Sequence, residues 1–66
     1  MPVENHYVTS SAISLLAYDD EEETLYVTFT DGRQYQLDGF PQVELERWLA
    51  SGSIGKYWNA NVKGRY

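Results

Sequence analysis

Residues 25–29 alternate cleanly, with Leu25, Val27 and Phe29 on one side and Tyr26 and Thr28 on the other. This is the period of two that a half-buried β-strand imposes. Asp31-Gly32 follows, a hairpin signal, and residues 33–37 form the returning strand. The loop length is decided by the faces. A two-residue loop would set Val27 opposite Gln36 and mix them. A three-residue loop, Thr30 to Gly32, pairs Phe29 with Arg33, Val27 with Tyr35 and Leu25 with Leu37, and keeps one face apolar. The geometry that delivers this register is a type I turn with Gly32 left-handed in a G1 bulge. Upstream, residues 8–18 read as a strand whose alternation breaks at Leu15-Leu16, where a bulge is expected. Residues 1–6 read as a frayed arm. Residues 19–23 are five adjacent carboxylates, which repel one another and suit a solvated turn.

The period then changes. Pro41 fits the first turn of a helix, where its missing N–H costs nothing, and the helix is expected to run to about Ser51 with Gly52 as a left-handed stop. Leu45, Trp48 and Leu49 share one stripe that packs on the sheet, while Glu44, Glu46 and Arg47 avoid it. Val43 falls on the opposite side. Ser53 caps a second helix over residues 54–63, and Gly64 terminates it. Ile54, Tyr57, Trp58 and Val62 form its inward stripe, and Lys56, Asn59 and Lys63 its outward one. Asn61 projects into the apolar stripe, where an amide must find partners or cost about 1–3 kcal/mol, so it reads as a structural hydrogen-bonding residue. The predicted fold is α+β: a three-stranded antiparallel β-meander packed against two short C-terminal helices, in a single domain spanning residues 1–66.

Composition narrows the function. The chain has 66 residues and no Cys, so it holds no disulfide, no thiolate nucleophile and no Cys-based zinc site, which fits a reducing cytoplasm. No apolar run reaches the about 20 residues of a membrane span, and neither a membrane association nor a cofactor is expected. Residues 1–31 carry seven acids and no Lys or Arg, whereas residues 32–66 carry five bases and three acids. The overall net charge of −5 argues against nonspecific nucleic-acid binding, because phosphate contacts come from Lys and Arg. A local basic patch stays open: residues 53–66 hold three of the five bases, no acid and three of the ten aromatics.

Catalysis has little to work with. His6 is the single histidine, and Ser10 or Ser11 beside it would lack both a third triad member and an oxyanion site. The acidic run at residues 19–23 lacks the alternating ligand spacing and central Gly of a calcium loop. The chain therefore reads as noncatalytic, with no small-molecule substrate. The binding candidates are Lys56, Asn59, Lys63, Arg65 and Tyr66, a mix of cations, an amide and an aromatic that suits RNA: phosphates take Lys and Arg, and exposed bases stack on Tyr or Arg. The second candidate is protein contact or self-association through the sheet face that carries Tyr26, Thr28, Gln34 and Gln36, or through a strand edge.

Read in order, several elements resemble one family. They are Ser10-Ser11 with Ile13, Tyr18-Asp19, the Leu25, Val27, Phe29 alternation, Gly32 before Tyr35, Pro41, Leu49, and the closing Ser53, Gly55, Tyr57, Trp58, Asn59, Val62 and Tyr66. In this order and spacing the chain resembles the KTSC domain, named for its place at the C-terminus of some lysyl-tRNA synthetases and also found free-standing. Leu37 stands where the family usually has a second Tyr of a Tyr-x-Tyr motif, and Trp58 where it usually has Phe. The resemblance implies a compact α+β module without an established activity, and its link to a tRNA enzyme suggests RNA contact.

Overall fold

In the computed structural model, residues 3–65 are described. The hairpin between β3 (Thr24–Phe29) and β4 (Gln34–Asp38) has the register that one-sided burial demands, with Val27 opposite Tyr35 and Leu25 opposite Leu37. The Phe29 N–H donates to the Arg33 carbonyl at 2.8 Å, and the Gly32 N–H closes the turn on the Phe29 carbonyl at 3.0 Å. Gly32 has φ +99°, the left-handed conformation the three-residue loop requires. Asp31 braces this loop, accepting the Arg33 N–H at 3.1 Å and Arg33 Nε at 2.9 Å. The backbone hydrogen bond from Arg33, followed by its guanidinium charge, holds the Asp31 carboxyl below the ordinary carboxylate range.

The sheet has four strands, in the order β1-β2-β3-β4, where the sequence pattern predicts three. The predicted strand over residues 8–18 begins five residues later than expected. Ser10 Oγ accepts the N–H groups of Ala12 at 3.2 Å and Ile13 at 3.4 Å, a local turn that competes with extension, so β2 begins at Ile13 (Ile13–Asp19). The turn folds residues 3–7 back as β1 (Val3–Tyr7), antiparallel to β2 from Val3 opposite Asp19 to Tyr7 opposite Leu15. The frayed-arm expectation is thus corrected for residues 3–6, and residues 1–2 lie outside the described residues. The strand escapes propensity reasoning because Glu4, Asn5 and His6 fill its centre and are weak or indifferent β-formers. The bulge lies between Ile13 and Leu15, slightly upstream of its expected place. It lets Ile13, Leu16 and Tyr18 all reach the core despite their uneven spacing.

α1 (Gln42–Ala50) lays Leu45 and Trp48 onto the core-facing side of the sheet, 2% and 0% exposed, while Val43 is exposed as its position predicts. Pro41 sits one place earlier than predicted, as an extended N-cap. Gly52 is not the left-handed stop. Ser51 ends α1 in an extended conformation, its N–H and Oγ–H both donating to the Trp48 carbonyl, at 3.0 and 2.7 Å, which satisfies a C-terminal carbonyl without a positive φ. α2 (Ile54–Tyr57) is capped as predicted by Ser53 Oγ, which accepts the Lys56 N–H at 3.3 Å.

The continuous α-helix predicted over residues 54–63 is corrected. From Trp58 to Val62 the chain forms a π-helical turn, closed by the Lys63 N–H on the Trp58 carbonyl five residues back at 2.8 Å. Gly64, at φ +83°, terminates it as expected. The aromatic core ties these elements together. Trp48 Nε1 donates to the Ile54 carbonyl at 3.0 Å, and its ring stacks on Tyr57 and Trp58 at centroid distances of 5.8 and 6.0 Å. The Tyr57 hydroxyl donates to Glu44 at 2.8 Å and clamps α2 to α1. The buried Tyr18 hydroxyl donates to the Phe40 carbonyl at 2.7 Å. Burial, and then the negative charges of Glu23, Asp20 and Asp19, push its pKa up.

Candidate nucleic-acid interface

The hairpin loop and the π-helical turn meet over the edge of the aromatic core. There Phe29, Arg33, Tyr35, Trp58 and Lys63 line a groove of about 220 Å³. A contiguous depression of about 310 Å³ shares Phe29, Arg33, Trp58 and Lys63 with it and adds Asn59. The floor is rigid: Phe29, Tyr35 and Trp58 pack mutually, at centroid distances of 5.2 to 5.5 Å, in edge-to-face and tilted arrangements. Tyr35 remains 41% exposed. Trp58 is 9% exposed, lines both depressions, and makes no indole N–H hydrogen bond among the described residues.

Arg33 supplies the first cation. Its guanidinium carbon lies 5.6 Å from the Phe29 ring centroid, and Asp31 engages its Nε, which leaves the terminal nitrogens without protein partners among the described residues. Lys63 supplies the second, from the end of the π-helical turn. Asn59 lines the same depression, with its Nδ2 donating to the Gly55 carbonyl at 3.3 Å.

The predicted set is therefore split. Asn59 and Lys63 come together, but Lys56 does not join them. A π-turn advances through a smaller angle per residue than an α-helix, so Lys63 rotates out of the column it would share with Lys56. Lys56 instead lines a separate shallow surface with Ser53, Tyr57, Ala60 and Asn61. Asn61 is half-buried at that surface and its side chain makes no hydrogen bond among the described residues, in contrast to its expected structural role: the π-helical turn places it beside Tyr57 and Ala60. Arg65 is exposed, its N–H closing a turn on the Val62 carbonyl at 3.0 Å. Tyr66 lies outside the described residues.

Arg33 and Tyr35 are the residues that sequence reasoning missed as site candidates. The signal was present in the hairpin register: a residue opposite Phe29 and one opposite Val27 had to lie on the face carrying the C-terminal helix.

Another cleft, about 400 Å³, lies between residues 8–11 and residues 51–55 and is rich in Ser. Three of its serines serve the backbone. Ser10 Oγ accepts two amides, Ser51 donates to the Trp48 carbonyl, and Ser53 caps α2. His6 hydrogen-bonds Glu4 at 3.4 Å rather than a serine. The acidic run folds as a turn in which Asp19 Oδ1 accepts the N–H groups of Glu21 and Glu22. Among the described residues no group of His, Cys, Asp or Glu is arranged to hold a metal ion, and no helix is long and apolar enough to cross a membrane.

Comparison with known proteins places this architecture. The crystal structure of a KTSC domain protein from Yersinia pestis superposes with a TM-score of 0.90 at 25% identity, covering 97% of this chain and 90% of that one. A protein of Tsukamurella paurometabola is 37% identical over 59 residues, covering 89% of this chain and 88% of its own length. An uncharacterized protein of Stutzerimonas stutzeri is 30% identical over 57 residues, covering 86% of this chain and 80% of its own. The KTSC domain model matches residues 9–66, a range that takes in β2, β3, β4, both α-helices and the π-helical turn, and the chain belongs to the KTSC family.

Proposed function

We propose that the domain is a noncatalytic module that contacts RNA, taking a single-stranded segment of a tRNA or of a free strand along the groove between the hairpin loop and the π-helical turn. The observation that carries this reading is the convergence of Arg33 and Lys63 on an aromatic floor of Phe29, Tyr35 and Trp58. Single-stranded RNA is held by this combination: cations meet phosphates, an exposed ring such as Tyr35 stacks a base, and fixed N–H groups read base edges. Asn59 adds an amide beside Lys63, and Lys56 and Arg65 contribute only to the local positive potential. Few phosphates can be neutralised this way, so binding is weak and salt-sensitive.

The test is retention of a single-stranded RNA oligonucleotide at low salt. Changing both Arg33 and Lys63 to Glu abolishes retention while the protein remains cooperatively folded, whereas changing Lys56 and Arg65 to Glu weakens it modestly. Absence of retention by the unmodified protein, or equal loss from both pairs, overturns the reading. A second reading, protein contact through the sheet face opposite α1, is favoured by Tyr7, which stands 79% exposed on that face.

A further inference from the structure

β1 is an edge of the sheet, and its five residues Val3–Tyr7 are self-complementary. We propose that two copies of the chain pair antiparallel along β1, about a twofold axis through Asn5, to make one continuous eight-stranded sheet. The backbone directions allow it. The Val8 N–H donates inward to the Ser14 carbonyl at 3.2 Å, so strand alternation turns the N–H and C=O groups of Val3, Asn5 and Tyr7 outward to the open edge. An antiparallel partner centred on Asn5 meets these groups in register: Asn5 faces Asn5, and Val3 faces Tyr7 of the other copy.

The side chains agree with that register on both faces. Val3 and Tyr7 are two of the four exposed large apolar residues among the described residues, and the pairing sets each against the other twice. On the opposite face, Glu4 of one copy lies across from His6 of the other, in the closely spaced type of pair that brings side chains together. Glu4 and His6 already approach each other within one strand at 3.4 Å, so the dimer assembles two acids and two imidazoles with alternating character. The other edge lacks this property. β4 carries Asp38 and no cation, so its self-pairing gains no opposite charge. Edge strands are commonly blunted by Lys, Pro or a bulge, and residues 3–7 contain none of these. The groove beside β4 stays open in each copy, at the far ends of the joined sheet.

Sedimentation equilibrium of the full chain, up to about 1 mM to capture a weak association, tests this inference independently of RNA. The expected result is a two-chain mass. Asn5→Pro removes one outward N–H, which an edge position tolerates in the monomer, and gives a one-chain mass. His6→Glu sets acid against acid and also gives a one-chain mass. Adding Glu4→Lys to His6→Glu sets Lys across from Glu and restores the dimer, an outcome no merely structural role of β1 produces. A one-chain mass for the unmodified protein, or a His6→Glu, Glu4→Lys double variant that stays monomeric while its melting curve is native, overturns the inference.

Discussion

Trp48 and Trp58 stack on each other at 6.0 Å, yet they belong to different regions of the molecule. Trp48 rises from α1, is wholly buried, and has its indole N–H satisfied by the Ile54 carbonyl. Trp58 opens the π-helical turn, keeps a sliver of surface, and carries an N–H that no described residue accepts. A domain this small relies on aromatic area for its core. The same stack that holds α1 on the sheet thus continues outward as the floor of the groove.

Replacing each member of that pair separates the roles. Trp48→Ala removes the central ring of the core and costs about 3–5 kcal/mol. Since a domain of this size holds only about 5 kcal/mol, a chemical-denaturation curve is expected to find the variant largely unfolded in water. Trp58→Phe conserves most of the volume and shifts the unfolding free energy by less than about 1.5 kcal/mol, while it deletes the indole N–H. Equal losses from the two substitutions would erase the distinction.

Smaller effects sharpen the boundary on the other side of the core. Tyr18→Phe breaks the hydrogen bond to the Phe40 carbonyl and lowers stability by about 1 kcal/mol. Because the folded-state pKa of Tyr18 is raised, its neutral form is the one the fold favours. Its contribution is fully present below about pH 10 and is lost as pH rises through the higher folded value. Melting temperatures followed into alkali are expected to fall less steeply for Tyr18→Phe than for the unmodified protein. The smallest effect is a gain. Glu23 adopts φ +51°, a conformation that costs a side-chain-bearing residue about 1 kcal/mol. Glu23→Gly relieves that cost and one carboxylate of the acidic turn, against the extra freedom of Gly in the unfolded chain. A rise of about 0.5 kcal/mol in unfolding free energy is expected.

The hairpin was fully legible because two constraints, a period-two face and a Gly in the loop, admit one register. α1 was legible through Leu45, Trp48 and Leu49, although its end was not: Ser51 replaces the glycine stop with two hydrogen bonds of its own. β1 was hidden because its stability comes from backbone pairing to β2 and not from apolar side chains. The π-helical turn was hidden because a single i→i+5 bond leaves no trace in composition. That turn also shapes the candidate site, keeping Asn59 with Lys63 and separating Lys56 from both, while the hairpin register already put Arg33 and Tyr35 on the helix-bearing face without showing that the π-helical turn reaches them.

The two indole N–H groups offer the most direct measurement. In a proton–nitrogen correlation spectrum, titration with single-stranded oligouridylate at low salt is expected to move the Trp58 indole resonance together with the backbone amides of Arg33 and Lys63, and to leave the Trp48 indole almost in place. No movement at saturating RNA, or movement confined to Lys56 and Arg65 with Trp58 unchanged, would contradict the assignment of the groove as the RNA-contacting site.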